Sequence, residues 1–336
     1  MTQNRFPLAQ GSSQGSVLLY VVWAIALLSL FAAAIGSQAI ASLGRVDRLS
    51  EQWRASHLAR GAAQYAASEL KADETQQVDG LSDSWVNDPG RFRDHPLGEG
   101  RFRVMASLAT DGPLRYGLTD EERYLSLNAA PTEMLQRFFE VVGGLHEDEA
   151  IQIADAIEDW RDSDDRESPR GAEGSYYRSL SDGYDCKNGP FENLEELLLI
   201  RGVTPELYRR VAPHLTVYGS GRLNVNTADD HALDALGLSA LGVAGVVAFR
   251  AGEDGQEGTG DDRRLVSLAG LQSELAAFVP VEDLARLDQR SRDQVLGVGS
   301  TDFRMVIEAD TGRAISRVTA MCVMGRDGVV KLWTEQ

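Results

Sequence analysis

Carboxylates are the side chains of this sequence with chemistry to offer. From Asp159 to Glu173 the chain reads DWRDSDDRESPRGAE. Asp162 and Asp164 alternate in a turn-rich stretch, Asp159 closes the preceding helical pattern, and Glu173 lies further on. A hard cation such as Ca2+ takes about six to eight oxygens, commonly from alternating Asp side chains and a more distant Glu. Asp159, Asp162, Asp164 and Glu173 are therefore the first expected ligand set. The spacing is not that of an EF-hand, and a solvated acidic loop is the competing reading. A second stretch, Gly252 to Asp262 (GEDGQEGTGDD), offers Asp254, Asp261 and Asp262, with Glu253 and Glu257 beside them. Its glycines free the backbone to wrap an ion; an unliganded polar loop competes here too.

Other chemistry is absent from the pattern. His57, His95, His146, His214 and His231 show no metal-ligand spacing. No G-x-S-x-G, phosphate-binding loop or C-x-x-C occurs. The expectation is a protein that is not an enzyme and takes no small-molecule substrate. Cys186 and Cys322 are too few for a disulfide framework, and spacing leaves open whether they pair. A net charge of −18 argues against nucleic acid as a partner, because phosphates need a basic footprint.

The 336 residues are enough for a membrane helix and one or two globular units. No charged residue occurs between Arg5 and Arg45, and Val17 to Ile35 is apolar except for Tyr20 and Ser29. Nineteen residues at ~1.5 Å each give about 29 Å, close to the hydrocarbon thickness of a bilayer. After this run Val46, Leu49, Trp53, Leu58, Ala62, Tyr65 and Leu70 recur at helical spacing with charges between them. One helix over 16–72 follows, membrane-spanning over 16–35 and amphipathic beyond. The residues leave three readings of its start: a secretory signal with Ala39-Ile40-Ala41 as cleavage site, a plain single-span anchor, or a Gly-ended leader over 1–15 cut between Gly15 and Ser16. The last resembles the type IV prepilin and pseudopilin N-terminus. Charge flanking the run does not decide topology.

Arg101 to Leu108 alternates as a half-buried strand, and three β-rich runs close the chain: Phe303–Ala309, Ala314–Met324 and Val329–Trp333. Asp310-Thr311-Gly312 and Arg326-Asp327-Gly328 between them are hairpin chemistry. The economical reading is an α+β fold in which 73–112 and 291–336 form a pilin-like antiparallel sheet under the long helix. Residues 113–290 then form a large inserted, mainly-α domain of helix-hairpin-helix or SAM-like type. Within it LSLNAAPTEMLQRFF (Leu125–Phe139) and LNVNTADDHALDALG (Leu223–Gly237) share a layout. Thr132 and Thr227 are expected as helix caps, and Asn128 and Asn226 as ligands of local backbone at the strand-to-helix corner. A further unit, Phe191–Gly219, is broken at Arg201-Gly202-Val203 and restarts at Pro205. These modules are similar to helix-hairpin-helix DNA-binding units, which keeps a membrane-anchored DNA-binding protein of a DNA-uptake or pilus system as the alternative function.

YGLTDEERYLSLNAAP, IEDWRDSDD, RGAEGSYY, KNGPFENLEELLLIRGVTPELYRRVAPHLTVYG, LNVNTA and the terminal LWTE, together with the Gly-ended leader, resemble the GspK family, the large minor pseudopilin (K) of type II secretion. The resemblance implies cleavage and N-methylation by the prepilin peptidase, anchoring in the inner membrane and a periplasmic globular part. It implies a place at the pseudopilus tip with the minor pseudopilins called I and J, where the protein initiates or caps assembly for protein export. It also implies calcium in the globular region, carried here onto the two acidic loops. Most pseudopilins have Glu at the fifth mature position; counted from Ser16, this chain has Tyr20, as the K type does.

Overall fold

The computed structural model describes residues 14–73, 75–106, 114–312 and 317–335. The expected leader over 1–13, the strand end at Ser107 and Leu108, and Ala314 to Ser316 lie outside the described residues.

Helix α1 (Gln14–Ala72) is continuous over 59 residues. Its apolar part contains no proline or glycine before Gly36, so nothing interrupts the backbone ladder. Val17–Gln38 is long and apolar enough to cross a membrane, and its apolar stretch is not buried by any of the described residues. The lower half rests on a sheet by only some of the residues that periodicity selects, Leu58, Ala62, Tyr65 and Leu70. Val46, Leu49 and Trp53 are exposed, and the buried stripe is Ala55, Ala59, Ala62, Ala63, Ala66, Ala67 and Leu70. Small side chains let the helix lie close on the sheet, whereas a larger residue at a filled position such as Ala62 costs about 1–3 kcal/mol in overpacking.

After the short α2 (Pro89–Phe92) come β1 (His95–Leu97), β2 (Gly100–Met105) and β3 (Thr119–Asp120). The last three strands are β8 (Asp302–Asp310), β9 (Arg317–Gly325) and β10 (Val330–Glu335). The sheet runs β1-β2-β8-β9-β10, antiparallel throughout, with β3 also pairing to β8. Thus strands about 200 residues apart in sequence are neighbours, with Phe102 opposite Ala309 and Val104 opposite Ile307. Phe303, Met305, Ile307 and Ala309 alternate inward and meet the alanine stripe together with Phe102, Val104 and Phe92.

Between β3 and β8 lie two copies of one plan. In the first, β4 (Leu125–Ser126) leads to α3 (Thr132–Val141) and α4 (Glu147–Arg161), then α5 (Gly174–Arg178), a tight turn over 194–199, α6 (Pro205–Val211) and β5 (Leu215–Thr216). In the second, β6 (Leu223–Asn224) leads to α7 (Asp230–Ala235) and α8 (Ala240–Arg250), then α9 (Leu271–Leu275), α10 (Val281–Arg292) and β7 (Leu296–Gly297). Each copy closes by a two-residue parallel pairing, β4 with β5 and β6 with β7. The two copies share one hydrophobic cluster, from Leu125 to Leu296, separate from the cluster under α1.

Two expectations of local bonding are corrected. Asn128 and Asn226 do not bond to local backbone; they clamp distant segments. Asn128 Nδ2 donates to Phe191 O (3.0 Å) and Val217 O (3.1 Å), and its Oδ1 accepts from Phe191 N (2.7 Å). Asn226 does the same with Leu265 O (3.0 Å), Val298 O (3.3 Å) and Leu265 N (2.8 Å). A buried loop must satisfy its peptide groups somewhere, and an amide side chain matches a peptide edge with one donor and one acceptor. Nor do the threonines cap their helices. Pro131 precedes α3, and Thr132 Oγ1 donates to Glu158 (3.1 Å). Asp229 caps α7 through Ala232 N (2.7 Å), while Thr227 Oγ1 turns to Asp120 (2.6 Å).

Candidate functional site

The first acidic loop starts where α4 ends. Arg161, the last residue of α4, turns back to donate to Leu127 O (2.7 Å) and Ala130 O (2.8 Å), which fixes the loop's root. Asp159, two residues earlier, is fully buried and accepts from Ser168 N (3.0 Å), so it folds the loop over itself. Gly171 is required there: a Cβ would lie 1.9 Å from Asp159 Oδ2.

Above this base Asp162, Asp164 and Glu173 converge, each offering a carboxylate oxygen, all within 4.8 Å of one another. Glu173 is 3% exposed. Its side chain accepts from Gly174 N at 3.3 Å, while its buried Oε1 has no hydrogen-bond partner. The neighbouring Cys186 thiol is a weak donor, itself pushed up to about 12, chiefly by burial. Burial likewise raises Asp159 and Glu173 above the usual carboxylate range. An orphaned buried acceptor costs about 1–3 kcal/mol, and a carboxylate more. Three carboxylates facing one point, one with an unused oxygen, have the chemistry of a hard-cation site. Asp159 is the exception among the expected ligands, because its carboxylate is engaged by the Ser168 amide.

The second loop follows α8 at the matching place, and Arg250 repeats the staple of Arg161 by donating to Val225 O (3.4 Å) and Ala228 O (2.8 Å). Its carboxylates do not converge. Asp261 accepts from Glu253 N (2.7 Å), Asp254 N (3.0 Å) and Thr259 Oγ1 (2.7 Å), bonds that hold it down at about 2. Asp262 accepts from Gly258 N (2.7 Å), and Asp254 from Gln256 N (2.8 Å). Glu257 pairs with buried Arg250 at 2.6 Å.

A third group, Asp73, Asp79 and Asp83, also comes together. Arg326 faces Asp73 and Asp79, and Arg264 pairs with Asp83, so guanidinium groups already occupy the cation's place. Sequence reasoning missed this group because its partners lie some 180 to 250 residues away. His214 and His231 stack edge to face at 4.3 Å, with His214 Nδ1 2.8 Å from Asp229, but they gather no third metal ligand among the described residues. Gly15 and Ser16 fall in the first turn of α1.

Comparison with known proteins bears on what this assembly belongs to. Residues 105–220 match the family model of type II secretion system protein K, first domain. Over 329 residues the chain is 26% identical to type II secretion system protein K of Aeromonas hydrophila, covering 93% of each. Both comparisons point to one family: the chain is similar to type II secretion system protein K. The K protein of Klebsiella pneumoniae is 25% identical over 63% of this chain and 65% of its own length. The fold is similar to a chain of the GspK–GspI–GspJ complex of enterotoxigenic Escherichia coli, with a TM-score of 0.62, 18% identity, and coverage of 88% of this chain and 99% of that one. The matched 105–220 block contains the first acidic loop and its Arg161 staple; the second copy lies outside it.

Proposed function

We propose that this chain is a K-type minor pseudopilin that stands at the tip of the type II secretion pseudopilus with I- and J-type partners, and initiates or caps its assembly for protein export. The observation that carries the reading is the shape of the chain. A single helix supplies an unpacked apolar half for a membrane or for neighbouring helices, while its other half carries a sheet topped by a bulky two-copy α-domain. The likeness to a chain from a GspK–GspI–GspJ complex supports the choice of partners. In this reading the helix is a single span of the inner membrane and the globular part is periplasmic. The prepilin peptidase cuts between Gly15 and Ser16 and methylates the new terminus. Tyr20 suits a first subunit: a carboxylate at that depth costs roughly 2.5–3.5 kcal/mol unless paired, and a first subunit has no predecessor's amino terminus to pair with it.

The role is architectural rather than catalytic, with Ca2+ held by Asp162, Asp164 and Glu173 to close the first loop. DNA binding is not favoured: around the Gly202 turn Glu192 and Glu206 project into solvent. The test is mass spectrometry of the mature N-terminus with and without the peptidase, followed by copurification with I- and J-type pseudopilins. A peptidase-dependent start at Ser16 and a stable complex are expected. An uncut N-terminus, or no complex, overturns the tip assignment.

A further inference from the structure

The two hydrophobic clusters do not touch across the join between sheet and α-domain. One ends at Leu118 and resumes at Phe303, and the other runs from Leu125 to Leu296. The segments between are polar, and they bury five carboxylates, Asp79, Asp120, Glu121, Glu122 and Asp302, each 2% exposed or less. Three of these touch a cation. Arg304 makes a two-pronged pair with Glu121 (2.6 and 3.0 Å), Arg326 pairs with Asp79, and Lys331 with Asp302 (2.5 Å).

The other two are held only by neutral donors, drawn from both sides of the join. Asp120 accepts from Thr227 Oγ1 (2.6 Å) and Asn224 Nδ2 (3.3 Å) of the α-domain and from Ser300 Oγ (2.5 Å). Glu122 accepts from Ser220 N (2.9 Å), Thr301 N (2.8 Å) and Thr301 Oγ1 (2.6 Å). Ser300 ties the set together, since its N–H donates to Asp79 (2.7 Å). The remaining charges around them are Asp73 and Asp83 with Arg264 on the Asp79 side, and Arg123, whose charge is shared among Asp120, Asp229 and Glu257. The hydroxyls of Tyr124 and Tyr218 complete the surroundings, both pushed up mainly by burial.

We propose that this join is a proton-operated latch, closed while Asp79 or Glu122 carries a proton and loosened when Asp79, Asp120 and Glu122 are all charged. Buried carboxylates in excess of their cations repel one another and lack water, so a proton bound here favours the closed state. Burial pushes Asp79 up to about 7 in spite of Arg326, and raises Glu122 as well; Asp120 adds repulsion to both. The sign follows from linkage. A carboxyl raised from its ordinary value near 3.8 to about 7 binds a proton in the closed state that the open state releases. Closure is therefore favoured at low pH and is lost as pH rises to about 7, with no further loss from this group above that. An open cleft lined by Asp73, Thr75, Gln77, Val78 and Arg264 borders the segment that carries Asp79, which is itself fully buried. The latch rests on this join alone and not on the tip assignment.

The experiment is amide hydrogen exchange on the full chain in detergent, corrected for intrinsic rates, from pH 5 to 8.5. Protection at Ser220, Ser300 and Thr301, whose amides bond to the latch carboxylates, should fall up to tenfold per pH unit to about pH 7 and then level off. Sheet amides of β8 and β9 should not follow. Asp79→Asn combined with Glu122→Gln should flatten the profile; if that pair fails to fold, Glu122→Gln alone must still lessen the slope. Protection independent of pH in the unaltered chain, or a slope unchanged in these variants, overturns the proposal.

Discussion

The two copies inside the α-domain share a skeleton and differ in how they handle charge. Each has an asparagine clamp (Asn128, Asn226) and a helix-ending arginine that staples the carbonyls on either side of it (Arg161, Arg250). From that common root the first copy sends out a loop whose carboxylates face one another and leave Glu173 Oε1 without a partner. The second sends out a longer loop in which Asp254, Asp261 and Asp262 accept local amides and Glu257 pairs with Arg250, without converging. The same scaffold thus carries one acidic loop with a buried carboxylate oxygen left over and one that satisfies more of its carboxylates internally. Acid content alone does not make a cation site; what matters is whether local N–H groups already occupy the oxygens.

The comparison can be broken most forcefully at the clamps. Asn226→Ala leaves the N–H and carbonyl of Leu265 without partners in a site 2% exposed, while Val298 O keeps the Asp79 amide, and should cost about 3 kcal/mol in denaturant unfolding. Asn128→Ala, at a half-buried position, should cost about 2 kcal/mol. A larger loss at Asn128 would show that the copies do not share their load as the bonding implies.

Calcium gives the next effect. At a hundredfold excess over its dissociation constant a ligand adds about 2.7 kcal/mol, which at this chain length raises Tm by roughly 5–10 °C. Glu173→Gln should abolish that rise and Asp261→Asn should leave it intact. The reverse result would move the cation to the second loop.

The smallest effect is a response to acid. Asp261 is held down at about 2 by the Thr259 hydroxyl and by the Asp254 and Glu253 amides, so its contribution to loop order is present above about pH 4 and is lost as pH falls through 2. Exchange of the Glu253 and Asp254 amides, measured down that range, should accelerate, while those of the sheet should not. Unchanged exchange would mean that the loop is ordered by its glycine turns rather than by Asp261.

Much of the architecture was legible in the residues. The apolar run, the β-rich run Phe303–Ala309 and the Arg326-Asp327-Gly328 hairpin are local signals, and the structure places them as helix, strand and turn; the connection that follows Asp310-Thr311-Gly312 lies partly outside the described residues. The likeness of LSLN and LNVN pointed to repetition, and the structure extends it to a full second copy. The acidic loops were visible as composition, but composition could not sort them: Asp162 and Asp261 look equally available in the sequence.

What the sequence by itself determined is what depends on neighbours in the chain: a membrane-length helix without breakers, strand alternation, hairpin turns, and a charge balance unsuited to nucleic acid. Tertiary structure alone decided which face of α1 is buried, what Asn128 and Asn226 hold, which carboxylates meet, and the stacking of Asp79, Asp120 and Glu122 at one join. Those outcomes turn on partners outside the local pattern, some of them far along the chain, such as Arg326 for Asp79 or Ser300 for Asp120. A buried charge or peptide edge takes whichever partner the fold brings within 3 Å, and spacing along the chain carries no record of that choice.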